Sequence, residues 1–290
     1  MNKLKVSGFT FVRNGVKYDY PFIESINSLL PLCDEVIVAV GQSEDDTLYR
    51  IQSLNSPKIK ILETVWDESI RKGGTILSQQ TNLALDRVTG DWAIYLQADE
   101  LLHEKDYSAI KEALSRYKDM TDVEGLLFNY RHFYGGYNYI GNSRRWYRRE
   151  IRIVRPNIGV RSWGDAQGFR RKGQKLHVKL IDATIHHYGW VKQPEIQQLK
   201  QKTFNKFWHS DGWVDQHVGG EGEYDYLQGG RLIEYQGTHP TVMSDRVRKQ
   251  NWSYKYDQAK VHRPVKERIL DAIEASCCWR IGEYRNYIII

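Results

Sequence analysis

Cysteine is scarce in this 290-residue chain, with Cys33, Cys277 and Cys278 the only three. Adjacent Cys277 and Cys278 are poor partners for each other, and no CxxC or Cys/His spacing accompanies them. A disulfide framework and a structural zinc site are thereby excluded, and a reducing compartment is expected. Long apolar runs are missing too: no 18-residue apolar stretch occurs, and the opening "MNKLKVSGFTFVRNG" is too polar for a signal peptide. The expectation is a cytoplasmic protein, peripheral to the inner membrane face if it touches a membrane at all. No RNP, KH, zinc-finger or helix-turn-helix signature is present, which argues against a nucleic-acid partner. Internal repeats and low-complexity tracts are also absent.

What remains suits a globular fold. A hydrophobic share of 41% with 12% aromatics is enough for a sizeable core and excludes a disordered chain. The net charge is +6, but it is unevenly spread. Nine Arg and three Lys stand against Glu150 and Asp165 between Arg144 and Lys179, so the rest of the chain is slightly acidic. Such a run predicts an anionic partner, for which nucleic acid, lipid phosphate and sugar diphosphate all qualify.

The first hundred residues alternate between two periodicities. "LKVSGFTFV" (4–12), "DEVIVAV" (34–40), "KIKILETV" (58–65) and "DWAIYLQ" (91–97) read as strands. Pro21 opens a helix whose Phe22, Ile23, Ile26, Leu29 and Leu30 share one face. A second helix, "ILSQQTNLALDRV", puts Leu77, Gln80 or Thr81, Ala84 and Val88 on a stripe. Alternation of this kind predicts a parallel sheet with right-handed crossovers, which binds ligands at the carboxyl ends of its strands. The pattern shortens after residue 123, into "VEGLLFNY", "EIRIVR" and "DATIHHYGW". Past Pro194 the chain reads helical, with Ile196, Leu199, Thr203, Phe204, Phe207 and Trp208 on one face. Residues 212–230 read as a glycine-punctuated mobile loop, and 264–276 as a last helix. The domain expectation is a core over 1–190 and a helical extension with an acceptor-side loop over 191–290.

Polar clusters fall at the predicted strand ends. After the first strand comes "RNG" (13–15), after the second "GQSEDDT" (41–47), and after the fourth Gln97, Asp99 and Glu100. The acids of "GQSEDDT" would either cap a helix or accept hydrogen bonds from a nucleobase and ribose. "RRWYRRE" (144–150) is either a solvated face or a diphosphate clamp, since Arg suits bidentate phosphate recognition. His186 and His187 end a strand and point to opposite faces, so at most one enters a site. Asp165 is an ion-pair partner of the arginines or a general base.

These segments together resemble a family-two inverting glycosyltransferase of the GT-A fold, of the bacterial surface-polysaccharide type. "FTFVRN" is similar to that family's first strand, "SEDDT" to its Ser-any-Asp-any-Thr segment, and "GGTILSQQTN" to its glycine-to-asparagine helix. "LQADE" stands where its Leu-Asp-Ala-Asp-Asp motif falls, and the resemblance spans about residues 5–190. It implies an α/β fold of the GT-A, Rossmann-like class: a mostly parallel sheet flanked by helices, with a helical C-terminal extension. It also implies metal-assisted transfer of a sugar from a UDP- or GDP-linked donor to a glycan or lipid-linked acceptor. Carried over by position, Phe11, Arg13, Asn14, Ser43, Asp45, Gly74, Asn82 and Gln97 would bind the nucleotide, with Asp45 on the base. Arg144, Arg145 and Arg148 would hold the diphosphate. Asp99 and His187 would hold Mn²⁺ or Mg²⁺, with His favouring Mn²⁺. Two departures stand out: Gln97 replaces the motif's first Asp, and Gln167 falls near the usual catalytic carboxylate, leaving Asp165 as the nearest acid.

Two rivals predict different patterns. A nucleotidyltransferase would carry a glycine-rich loop after its first strand, which "RNGVKYDY" lacks. A non-enzymatic module for RNA or anionic lipid would have no need of the acidic strand ends.

Overall fold

The structure is a computed structural model, and it describes residues 4–218, 222–261, 265–277 and 280–290. Strands β1 (Val6–Val12), β2 (Glu35–Gly41), β3 (Ile59–Thr64) and β4 (Trp92–Tyr95) form where the apolar runs lie. Helices α1 (Phe22–Leu29), α2 (Thr47–Gln52) and α3 (Thr75–Leu85) connect them. All four strands pair in parallel in the order β3-β2-β1-β4. Helices cover both faces of β2, which explains why its "EVIVAVG" is buried throughout. Val36, Val38 and Val40 pack with Phe22, Ile26 and Leu29 of α1, while Ile37 and Ala39 pack with Leu77 and Ala84 of α3. This is the α/β class expected from the sequence.

Beyond β4 the chain forms β5 (Glu100–Leu102), α4 (Tyr107–Arg116), β6 (Gly125–Tyr134), β7 (Tyr139–Gly141) and β8 (Arg149–Val154). Strand β8 pairs antiparallel with both β4 and β6, and so carries the sheet past its parallel half. A separate three-stranded sheet comprises β9 (Val160–Trp163), β10 (Gly168–Arg171) and β11 (Gln174–Lys175). Strand β12 (His177–Trp190) returns parallel to β6 and places His187 beside His132.

The last hundred residues supply α5 (Pro194–Asn205), α6 (Asp211–His217), β13 (Leu232–Glu234), α7 (Ser244–Arg248), α8 (Val265–Cys277) and β14 (Ile288–Ile289). Strand β13 pairs with β7 and β14 with β12, so this segment also extends the sheet. The span 212–230, expected as a loop, instead holds α6, capped by Ser210, and a 3-10 turn at Tyr226–Gly229 that buries Tyr226, with 219–221 outside the described residues. Among the described residues no helix is long and apolar enough to cross a membrane.

The order 3-2-1-4 fixes where a ligand fits. Connections from β1 to β3 run one way, and α3 carries the chain back to β4 on the other side of β1. The resulting switch point opens a crevice at the carboxyl ends of β1 and β4.

Candidate functional site

A cleft of about 740 Å³ occupies that crevice. Phe11, Arg13 and Asn14 reach it from the end of β1, Glu44 from the end of β2, and Gln97 and Asp99 from the end of β4. Asp165 and Gln167 line it from the turn between β9 and β10, and His187 from β12. The strand-end clusters, distant in sequence, thus meet in one place.

The floor at β1 is a turn with Asn14 at φ 53°. The Asn14 N–H donates to Ser43 Oγ at 3.0 Å, and its Oδ1 accepts from the Glu44 N–H at 2.9 Å. Asp45 accepts from the Lys17 N–H at 2.6 Å and from the backbone and hydroxyl of Thr47. Ser43 and Asp45 therefore build the turn, and Glu44 is the acid of that segment that faces the cleft. Asn82 lies behind the wall, exchanging two hydrogen bonds with the Ser162 backbone. Gly74 (φ 67°) starts α3, where a Cβ would sit 2.7 Å from Trp208 and 2.8 Å from Asp165. Only a residue without a side chain lets those elements close.

Helix α5 forms the roof. Of the apolar face read from the sequence, Thr203, Phe204, Phe207 and Trp208 turn toward the cleft and Leu199 is 40% exposed, while Gln197 and Lys200 are the buried residues of the helix. Below α5 lies a polar cleft rather than apolar core, so the buried side of the helix is polar. Beyond it Phe204, Phe207 and Trp208 pack on one another, and Phe207 meets Trp66 at 5.7 Å between centroids. Phe11 in turn lies 5.9 Å from Trp66, giving one wall of the cleft an aromatic surface.

Asp99 is the electrostatic centre. Lys200 Nζ donates to its Oδ2 at 3.3 Å and to the Gly189 carbonyl at 2.9 Å, and His187 Nε2 lies 3.7 Å from Oδ1. Burial alone would raise the Asp99 pKa, but the Lys200 ammonium outweighs it and holds the carboxyl well below its usual range. Nearby, burial and the charge of Lys200 pull fully buried Lys192 down to about 7. Behind His187, His132 Nδ1 lies 2.9 Å from His187 Nδ1, and His132 Nε2 lies 2.8 Å from the Tyr147 carbonyl. Burial keeps His132 well below the ordinary imidazole range and therefore neutral. His186 points away and stacks on Phe133.

The Asp99–His187 pair has the chemistry to hold a divalent cation. A Cβ on Gly189 would lie 2.6 Å from His187 Nε2 and 2.7 Å from Asp99 Oδ2, so the glycine keeps the space beside both donor groups open. Among the described residues no group of three or more His, Cys, Asp or Glu is placed to hold a metal ion. A cation here would take its remaining ligands from water and from phosphate oxygens, as Mg²⁺ commonly does.

Four carboxylates line the cleft, and three have cations: Glu44 pairs with Lys17, Glu68 with Arg13, and Asp99 with Lys200. Among the described residues Asp165 has none. It accepts a hydrogen bond from the Gln167 N–H at 3.2 Å, within a turn where Gly164 (φ 59°) and Ala166 (φ 65°) are left-handed. Gln167 itself donates through Nε2 to Glu150, whose carboxyl burial pushes up to about 7. Glu100 stays out of the cleft, with both oxygens held by Arg152 at 2.7 and 2.8 Å.

Arg144, Arg145 and Arg148 do not line this cleft. Arg144 pairs with Glu274 at 2.8 Å, Arg148 with Glu283 at 2.8 Å, and Arg145 bonds the Gln228 carbonyl and lies over Trp146. The basic run of the sequence is largely taken up inside the fold. Arg152 is fully buried on Glu100, Arg155 and Arg170 bond backbone carbonyls, and Arg171 pairs with Glu124. The cations that do line the cleft are Arg13, Lys17, Arg71, Lys200 and Lys206.

No protein-family model matches the chain, and no curated protein matches it. Solved structures that match include S. aureus TarS 1–349, at 13% identity and TM-score 0.40, over 74% of this chain and 69% of that one. A mannosyltransferase from Pyrobaculum calidifontis, in complex with GDP-Man and Mn²⁺, matches at 18% identity and TM-score 0.33, over 43% and 35%. Glucosyl-3-phosphoglycerate synthase from Mycobacterium tuberculosis, with Mn²⁺, UDP and glucosyl-3-phosphoglycerate, matches at 20% identity and TM-score 0.31, over 44% of each chain.

Proposed function

We propose that the cleft binds a nucleotide-diphospho-sugar, UDP- or GDP-linked, and transfers the sugar with inversion to a hydroxyl of a glycan or lipid-linked acceptor. The observation that carries this reading is the meeting, at the switch point of a parallel sheet, of the Asp99–His187 pair with Asp165, a carboxylate with no cation beside it among the described residues. Phosphate chemistry needs the first, and a hydroxyl nucleophile needs the second.

The nucleobase would lie on the Phe11–Trp66 surface beside the Asn14 turn, which Ser43 and Asp45 hold in shape. The diphosphate would face Lys200 and the Asp99–His187 pair, with Arg71 and Lys206 at the rim. A divalent cation bound there, Mn²⁺ or Mg²⁺, would neutralise charge developing on the departing nucleoside diphosphate. Asp165 would accept the proton of the acceptor hydroxyl as its oxygen bonds to the anomeric carbon and the sugar–phosphate bond breaks. Such a base must be charged and unencumbered, and among the described residues Asp165 has no cation to displace.

A thermal-shift panel of UDP-, GDP-, CMP- and dTDP-sugars, with and without Mn²⁺, tests the reading. A ligand that binds only the folded state raises its apparent stability. A rise with one base, larger with Mn²⁺, is expected; no rise with any of them contradicts the assignment.

A further inference from the structure

We propose that His132 is a positioning residue that fixes the tautomer of His187, leaving the lone pair of His187 on Nε2, toward Asp99. The inference rests on reading Asp99 and His187 as a cation-binding pair, and it concerns how the chain prepares one of the two donors.

Two contacts decide the proton positions. The Tyr147 carbonyl can only accept, so the His132 nitrogen 2.8 Å from it, Nε2, carries a hydrogen. With that proton on Nε2, a neutral His132 has a bare Nδ1. The 2.9 Å contact between the two Nδ1 atoms then requires His187 to donate. Nδ1–H on His187 leaves Nε2 unprotonated in the neutral ring, and that atom lies 3.7 Å from Asp99 Oδ1, beyond hydrogen-bond reach, so the carboxylate fixes no proton there. The opposite assignment would set the Nε2 lone pair of His132 against a carbonyl oxygen, two acceptors facing each other.

The fold makes this arrangement rigid. His132 and His187 are register partners on parallel strands β6 and β12, so their side chains leave the same face of the sheet side by side. The His132 ring is 2% exposed, stacked with Tyr130 and Trp146 and edge-on to Tyr147. A ring so enclosed cannot turn to present its other nitrogen. Which ring nitrogen of a histidine is free to bind a cation is set by the hydrogen bond the other one makes.

The test is long-range ¹H–¹⁵N correlation on ¹⁵N-labelled protein at about pH 8.5, well above the ordinary imidazole range. The wild type should show His187 protonated on Nδ1 and bare on Nε2. His132→Phe removes the acceptor and should shift His187 toward the Nε2–H form. His132→Asn, whose Oδ1 stands near the position of Nδ1, should restore the wild-type tautomer. Mn²⁺ affinity in the presence of UDP or GDP, read by electron paramagnetic resonance, should fall about 10–100-fold in His132→Phe and recover in His132→Asn. An Nε2–H tautomer at His187 in the wild type overturns the proposal, and needs no variant to be seen. So does an unchanged tautomer in a folded His132→Phe protein. The stated tautomer, with no Mn²⁺ bound by the wild type under any condition, upholds the positioning role and instead overturns the cation reading of the cleft.

Discussion

Lys200 on α5 and Asp99 at the end of β4, 101 residues apart, meet at 3.3 Å in the wall of the cleft, with both side chains about one-tenth exposed. The contact ties the roof of the site to its sheet. Lys200→Met would strip a buried carboxylate of its cation, and breaking such a pair costs about 3–5 kcal/mol. Urea unfolding should show a loss of that order, much of it recovered in Asp99→Asn/Lys200→Met. A single-variant loss below about 1 kcal/mol would class the contact with weak surface pairs.

Asp165 is expected to act on the acceptor alone. Asp165→Asn should lower turnover by about 10²–10⁴-fold, the usual contribution of a general base. Donor affinity, measured separately by calorimetry, should stay within about twofold, well under 1 kcal/mol. Collapsed donor binding with turnover preserved would make Asp165 a ligand of the donor instead.

Arg144 and Arg148 should be dispensable for the donor. Their guanidinium groups are held by Glu274 and Glu283, outside the cleft. Arg144→Ala and Arg148→Ala should leave donor affinity within about twofold, less than a single charge-assisted hydrogen bond contributes. A loss of tenfold or more in either variant would return these arginines to the diphosphate.

Lys192 predicts a pH dependence of stability. Its folded pKa, about 7, is depressed from the ordinary lysine value of 10.5 by burial and by Lys200. Between those values the unfolded chain binds the extra proton, so stability rises with pH above 7. Buried Cys33 and the buried tyrosines have raised values and act in the opposite sense above about pH 9, which leaves pH 7–9 as the clean window. Melting temperature should climb across that window and flatten in Lys192→Met. An equal climb in both proteins would assign the effect elsewhere.

The parallel half of the sheet was legible in the sequence because burial on both faces writes itself as unbroken β-branched runs such as "VIVAV". The strand-end residues Phe11, Asn14, Gln97 and Asp99 were legible for a related reason: an apolar run that stops on polar residues marks where a buried strand meets the crevice. Lys200 was not, since a lysine in a polar helix reads as solvated. Its burial follows from what α5 covers, and that is a property of β4 and β12. His132 was hidden similarly, inside "FNYRHFY", with its partner 55 residues away. The pairing of the arginine run was hidden for the converse reason. Sequence shows twelve cations against two acids over 144–179, but not that Glu100, Glu124, Glu274 and Glu283 come from elsewhere to meet them.

Titration calorimetry of UDP and GDP into the wild type and into Asp99→Asn, each with Mn²⁺ and with excess chelator, tests the central claim most directly. The wild type should bind one of the two nucleotides, more tightly with Mn²⁺ than with chelator, and Asp99→Asn should bind it weakly and equally in both. Absence of binding by the wild type in every condition, or identical isotherms for the two proteins, would contradict a nucleotide-sugar site at the carboxyl ends of β1 and β4.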